Sequence, residues 1–504
     1  MIIGIDLGTT FSAVAALDGA GRPVTLPNRD GDLLTPSAVY IAGDEAVVGQ
    51  AALDVSLEQP ESVATLIKRR MGQPDYGRLV AGRSFRPETL SALILRKLAQ
   101  DASLQIGPVT QAVITVPAYF DDTRRRATHD AGRIAGLDVL DILDEPVAAA
   151  LAYAKQSPPI AIGGSSTVMV YDLGGGTFDA TLVRLGHRHF QTLAIEGDVR
   201  LGGRDWDDRI VDHVAAKFLS EYGSDPRTNP QSLALLHAAA ERAKRTLSKL
   251  PQTSVTATHA GRTLSVPLTR TDFETLTRDL LTRTRLTVQQ LHRQAGLTWD
   301  QIDHVLLVGG ATHMPMTRQM LRDLSGKEPD HSLAVSEVVA RGAALHAGVL
   351  AARRGDTADD DLGQVVEVNV TAHSLGVEVR HQGELLSDVL IPKNTQLPAS
   401  AARTYVTVAD SQQRVRVKLL QGEAKQAEAC IAVGECWIEG LPSGLPAGSP
   451  VEVRCGCAAN GLVEVVARDA TSGKAARAEF HRTGGLSEAE LEREAALVRR
   501  MRVQ

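Results

Sequence analysis

The chain has 504 residues, 43% of them hydrophobic, enough to build cores for two to four domains. Lysine plus arginine total 54 against 60 for aspartate plus glutamate, a net charge of −6, so neither a nucleic-acid backbone nor an anionic membrane is an expected partner. No basic segment leads into an apolar core near Met1 and no apolar run is long enough to cross a bilayer, which predicts a cytoplasmic protein.

The first element is an apolar strand closed by a polar turn: Ile2–Thr10 reads IIGIDLGTT, with Asp6 at the strand end, then Gly8 and the hydroxyls of Thr9 and Thr10. Short strands and turns follow as far as Lys68, which sits in a run with Arg69 and Arg70. That lysine is either a solvated surface charge or an ammonium meant for a phosphate oxygen. Pro87–Ser103 predicts an amphipathic helix, Ala112–Val116 a buried strand and Asp121–Gly136 a helix. Asp144-Glu145-Pro146 opens the next helix, where Glu145 is either a favourable cap charge or a carboxylate that orients water or a metal's hydration shell.

Val168–Asp179, VMVYDLGGGTFD, repeats the grammar of the first turn. By itself it reads as a glycine-rich hairpin turn or as a phosphate clamp, in which Gly174, Gly175 and Gly176 bring N–H groups close to phosphate oxygens and Asp172 faces a hydrated cation. Two copies, far apart in sequence, predict a duplicated lobe with one turn from each facing a shared cleft.

Leu201-Gly202-Gly203 is a further glycine turn before a helix from Trp206 to about Tyr222. On the Leu235–Leu250 helix, Glu241, Lys244, Arg245 and Ser248 share a face. Glu241 and Lys244 form a surface ion pair, or the whole face serves a nucleoside, with acceptors for ribose and a guanidinium to stack on a base. Asp303–Val308 predicts a third buried strand, running into Gly309 and Gly310, at the strand end where open α/β sheets bind ligands.

The acidic stretch Gly355–Gly363 reads as a linker. From Val365 to Phe480 the pattern is strand and turn, including an Asn460-Gly461 turn, and predicts a β-sandwich. Leu486–Arg502 reads as one charged helix opened by a capping box, Ser487 to Glu490. The four cysteines, Cys430, Cys436, Cys455 and Cys457, lack the spacing of a zinc knuckle and stand where core residues would serve.

Together these runs resemble the heat shock protein 70 family, the DnaK-type chaperones, within the larger actin, sugar-kinase and chaperone ATPase group. The resemblance is carried by GIDLGTT (Gly4–Thr10), VPAYF (Val116–Phe120), DEPVAAALAY (Asp144–Tyr153), DLGGGTFD (Asp172–Asp179), ERAKRTLS (Glu241–Ser248) and LLVGGAT (Leu306–Thr312). In the β segment SLGVEV (Ser374–Val379), LIPKNTQLP (Leu390–Pro398) and LQGE (Leu420–Glu423) extend it, and SLGVEV with the short stretch between Met71 and Pro87 resembles the HscC branch.

The resemblance implies a two-lobed actin-like (ribonuclease H-like) α/β ATPase domain over residues 1–354 and a linker over 355–369. It further implies an all-β peptide-binding sandwich over 370–484 and one short C-terminal helix over 485–504, a truncated lid. The implied function is ATP hydrolysis coupled to binding and release of extended apolar segments of unfolded clients, in protein folding and the stress response. ATP/ADP and Mg²⁺ are the implied cofactors, with K⁺ as a further ion; a J-domain co-chaperone and a nucleotide-exchange factor are the implied accessory partners. Asp6, Asp172 and Asp179 would arrange Mg²⁺ through water, and Lys68, Glu145 and Thr177 would serve the γ-phosphate and the attacking water. Gly8, Thr9, Thr10, Gly174–Gly176, Gly202 and Gly203 would hold phosphates, and Glu241, Lys244, Arg245, Ser248, Gly309 and Gly310 adenosine. Val377, Tyr405, Val408, Val415 and Val417 would line the peptide groove, with Arg380 and Val408 where the family has the pair that arches over the peptide.

Departures from the family fall mainly on coupling. His313 and Ala311 replace an arginine and a serine, and Ser336 a usual aspartate. The linker, Val365-Val366-Glu367-Val368-Asn369, carries a charge at its centre, which makes docking into an apolar groove costlier. Asp141 and Asp144 stand where the J-domain face usually has arginine and asparagine. These changes keep a second function open, a nucleotide-binding scaffold with one dedicated client and weak coupling.

Overall fold

The computed structural model describes every residue except 157–159, 331–333, 357–359, 440, 442, 459–462, 470–474, 477–480 and 483–484. The expected Asn460-Gly461 turn lies outside the described residues. Two sheets share one connectivity. In the first, Pro23–Leu26, Phe11–Leu17 and Ile2–Asp6 form an antiparallel meander, and Ile2–Asp6 pairs on its other side, in parallel, with Gln111–Val116 and then Asp138–Asp144. In the second, His189–Asp198, Phe178–Gly186 and Ser165–Leu173 form the meander and Ser165–Leu173 pairs in parallel with His304–Val308. This repeated order is the duplication that the twin Asp-Leu-Gly turns predict.

The strands joining the two turns are apolar almost throughout because both faces are covered. Between the sheets lie the Glu145–Gln156 and Val338–Arg354 helices, which approach unusually closely. A Cβ on Gly342 would sit 1.8 Å from the Ala148 carbonyl oxygen, and one on Gly4 would sit 2.2 Å from the Ala344 nitrogen. Glycine there lets one helix touch both its helical neighbour and the strand that carries Asp6. The Pro87–Ile106 helix departs from the amphipathic expectation: it is buried on nearly every side and carries a buried Lys97–Asp101 ion pair.

After Arg354 the chain crosses to the β-sandwich through a short strand, Val366–Val368, that adds in parallel to the edge of the second sheet at His189–Gln191. The sandwich packs Leu375–His381, Glu384–Ile391, Arg414–Gln421 and Ile431–Glu439 against Ala399–Val406, Pro450–Cys457 and Val463–Asp469. Its core includes Val377, Val417, Leu419, Val451 and Val453 together with Cys436, Cys455 and Cys457. All four cysteines are free thiols, and burial pushes Cys436, Cys455 and Cys457 up to about 11, 12 and 11. These three are protonated packing groups, not ready nucleophiles.

The C-terminal segment is not the single helix of the expectation. Its capping box forms as predicted, with Ser487 Oγ accepting from the Glu490 N–H, but the helix runs from Glu488 to Arg500 and the chain then becomes a strand, Arg502–Val503. The helix packs on Pro87–Ile106 and Asp122–Ile134, burying Leu491, Val498 and Met501. The strand pairs in parallel with Glu45–Val48, and the Arg502 and Gln504 N–H groups donate at 2.9 Å to the Asp44 and Ala46 carbonyls. This segment therefore lies on the first lobe of the α/β unit. Among the described residues no helix is long and apolar enough to cross a membrane.

Candidate nucleotide cleft and linker seat

Both Asp-Leu-Gly turns reach the same point. A Cβ on Gly175 would fall 1.9 Å from Thr10 Oγ1, one on Gly176 would fall 2.4 Å from Thr9 Cγ2, and one on Gly202 would fall 2.5 Å from the Gly176 nitrogen. The three glycines are thus needed for close approach between turns. Several clamp N–H groups are already engaged: Gly8 donates to Ser12 Oγ at 3.2 Å, Gly174 to the Thr177 carbonyl at 3.1 Å and Gly203 to the Gly174 carbonyl at 2.9 Å. These residues build the walls, and their amides are not spare phosphate donors.

Beneath the turns lies a buried group of charges. Lys68 is buried and forms an ion pair with Glu145, so its solvated-surface reading fails. Asp172 and Asp179 are also buried and directly paired across the hairpin, while Asp6, at the end of its strand, is half-buried. Four carboxylates thus face one ammonium. Burial, and then the neighbouring Glu145 charge, push Asp6 up to about 7 and raise Asp172 and Asp179 well above the ordinary carboxylate range. Thr115 donates weakly to Asp6 at 3.4 Å, and the Tyr119 N–H to Asp179 at 3.3 Å. Thr177 is buried beside the second turn.

On the Pro230–Leu247 helix the expected face divides in two. Lys244 turns inward and donates at 2.8 Å to the Gly203 carbonyl and to Asp207, while Glu241 pairs with Arg245 at 2.6 Å. The anticipated Glu241–Lys244 pair does not form. Arg245 lies 5.5 Å above the Phe11 ring, so it bridges the lobes, and Ser248 bonds back to the Lys244 carbonyl at 3.0 Å. Gly309, at φ +82°, presses against the Leu173 carbonyl, whereas a Cβ on Gly310 would meet open space. His313 reaches the surface, and partial burial of its ring with Lys249 and Arg318 nearby lowers its pKa.

Two residues absent from the sequence-based set belong here. Arg69 donates to the Gly176 carbonyl at 3.0 Å and pairs with Asp205, tying the two lobes together. Asp207, pushed up to about 6 by burial against the pull of Lys244, anchors that lysine. The Lys68-Arg69-Arg70 run was the available signal for Arg69; nothing local marks Asp207.

In the sandwich, Val377 and Val417 are buried in the core, and Tyr405 and Val415 pack at its edge, with the Tyr405 hydroxyl donating to Asp388 at 2.8 Å. Arg380 and Val408 are not brought to that cluster; both are exposed, Val408 to 79%.

The sandwich and linker meet the α/β unit through polar contacts that the sequence did not announce. Lys393, from the LIPKNTQLP run, pairs with Glu196 at 2.7 Å with both side chains buried, and Glu196 also accepts from Gln290 and Gln294 at 3.0 and 2.6 Å. His373 meets the Tyr119 carbonyl at 3.0 Å, and the Asp122 N–H donates to Gln421 at 3.1 Å. The two unexpected acids of the neighbouring face are both paired: Asp144 with Arg125 and Asp141 with His346.

The sequence model of the Hsp70 protein family matches residues 2–78 and 75–503. The chain is 42% identical over 522 residues to Chaperone protein DnaK of Thermus thermophilus, covering 97% of this chain and 82% of that protein. To Chaperone protein DnaK of Deinococcus proteolyticus it is 39% identical over 525 residues, covering 97% and 80%.

Proposed function

We infer how this chain works from one premise: it belongs to the Hsp70 family and is an ATP-dependent molecular chaperone, an ATP hydrolase that acts on unfolded polypeptides. The observation that carries the site assignment is the convergence of both Asp-Leu-Gly turns on the buried Lys68–Glu145 pair. In this reading residues 1–354 are the ATPase domain, 355–369 the linker and 370–484 the client-binding domain.

ATP lies between the lobes. Thr9, Thr10 and Thr177 with the Gly8, Gly174–Gly176 and Gly202–Gly203 walls enclose its phosphates. Glu241, Arg245 and Ser248 take the nucleoside beside the space over Gly310, while Lys244 and Gly309 hold the wall in place. Lys68 places its ammonium against the transferring phosphoryl oxygens, and Glu145 accepts a hydrogen bond from the attacking water. Asp6, Asp172 and Asp179 fit a hydrated Mg²⁺, because their buried negative charge exceeds what Lys68 can balance; the ion would neutralise phosphate charge, with K⁺ as a further candidate.

Clients bind as extended apolar segments at the sandwich edge formed by Tyr405 and Val415, backed by the buried Val377 and Val417, with Arg380 and Val408 exposed away from that cluster. A J-domain co-chaperone and a nucleotide-exchange factor complete the proposed cycle in the cytoplasm. With Asp141 and Asp144 each held by a cation, their face repels an acidic J-domain less than bare carboxylates would.

The test is the release rate of a fluorescent apolar peptide after adding Mg-ATP or Mg-ADP, in wild type and Lys68→Ala. Faster release with ATP in the wild type supports coupling. Equal release in both nucleotides, with binding intact, leaves a nucleotide-binding scaffold.

A further inference from the structure

The linker charge that the sequence marks as costly to dock has a dedicated partner. Glu367 lies at the centre of the Val366–Val368 strand with its side chain 10% exposed, and its carboxylate is 2.8 Å from Nδ1 of His346. Nε2 of the same ring is 2.9 Å from Asp141. An imidazole with a carboxylate on each nitrogen satisfies both only as the doubly protonated cation. Burial opposes that charge, yet Glu367 and Asp141 outweigh it and hold His346 up to about 10. Arg353, two turns further along the same face of the helix, holds the Val365 carbonyl, and across the adjoining cavity of about 180 Å³ stands the Arg125–Asp144 pair.

The placement of this bridge connects it to the cleft. His346 is on the Val338–Arg354 helix, one turn after Gly342, which packs on Ala148 of the helix that begins at Glu145. Asp141 is on the Asp138–Asp144 strand, which runs directly into Glu145. Upstream of the same helix, the Val335 carbonyl accepts from the Gly309 N–H at 3.3 Å. Both partners that grip the linker are thus continuous with walls of the nucleotide cleft.

We propose that His346 is the positioning residue that seats the linker, by bridging Glu367 to Asp141 so that the linker strand stays paired only while helix and strand keep the relative places set at the cleft. The inference rests on the coupled-chaperone reading for its purpose, though the seat itself stands on geometry. An apolar linker can slide within an apolar groove at little cost. A bridged carboxylate is held at one place, and removing either partner strands a buried charge.

The test uses the full chain saturated with Mg-ATP, as wild type, His346→Leu, Glu367→Leu and the double variant, with nucleotide affinity checked in each to confirm an intact cleft. Amide hydrogen exchange of Val366–Val368 and the ATP-to-ADP ratio of peptide release are measured. Each single variant should speed linker exchange by at least about tenfold and bring the release ratio toward one. The double variant, with no unpaired linker charge and an apolar strand, should recover much of the protection. Unchanged linker exchange in the singles, or a double variant showing the sum of both losses, overturns the proposal. If the singles free the linker but the wild type releases peptide equally in both nucleotides, the seat stands and the coupled cycle fails.

Discussion

The nucleotide cleft and the linker seat both bury carboxylates, but they balance them differently. In the cleft Asp6, Glu145, Asp172 and Asp179 surround one cation, Lys68, and three of the four carboxyls are raised accordingly. In the seat Asp141 and Glu367 share the His346 imidazolium, with Arg353 close by on the linker backbone. An uncompensated buried charge destabilises the empty fold and strengthens attraction for a cationic ligand. A compensated one has no such need and serves to fix a segment in register. The difference separates a site built to be filled from a site built to hold.

The largest effect should come from changing the cleft's imbalance. Asp172→Asn should reduce ATP turnover about 10²–10³-fold yet raise the melting temperature of the nucleotide-free protein, because it removes one of the repelling charges. Lys68→Ala should lower both. A lower melting temperature for Asp172→Asn, read by calorimetry beside a turnover assay, would break the contrast.

Next comes the compensated pair at the sandwich interface. Among the described residues, Lys393→Ala leaves buried Glu196 with only the Gln290 and Gln294 amides, and should cost about 3–5 kcal/mol of docking. Small-angle scattering would then show a larger radius of gyration. An unchanged profile would mean that Lys393 is dispensable.

A third carboxylate group lies between these extremes, under the C-terminal helix. Burial, with Asp130 and Glu494 adding to it and Arg86 opposing, pushes Glu88 up to about 7, and one of its oxygens is buried without a hydrogen-bond partner. The folded state therefore keeps a proton that the unfolded chain loses between its ordinary value of 4.5 and about 7, so stability from this group falls as pH rises through that window. Glu88→Gln should stabilise by about 1–3 kcal/mol at pH 8 and hardly at all at pH 4. Denaturant titrations at both pH values would decide it, and equal gains would refute the charge argument.

The smallest effect is expected at the exposed Arg245–Glu241 pair. Glu241→Ala should change stability by under about 1 kcal/mol, while nucleotide affinity drops measurably in a fluorescent-ATP titration. Loss of stability without loss of affinity would move Glu241 out of the proposed nucleoside site.

Much of the architecture was legible because it is written locally. The twin Asp-Leu-Gly turns, the Ser487–Glu490 capping box and the alternating strands of the sandwich each depend on residues a few positions apart. The acceptor that Lys244 chooses is not local: Glu241 is within helical reach, yet Lys244 turns to Asp207, thirty-seven residues away. The same holds for Arg69, whose partner Asp205 is on the other lobe, and for Arg502–Val503, where a helical pattern gives way to strand pairing once the edge at Glu45–Val48 is available.

The two-lobed α/β unit, the sandwich and the candidate cleft residues can be read from residue order, because hydrophobic period and glycine placement act over one or two turns of chain. Which charges meet is set by the packing of distant segments. The energy of a buried ion depends on partners brought from distant segments, so Glu367, costly in the sequence, becomes a fixed point once His346 and Asp141 close around it.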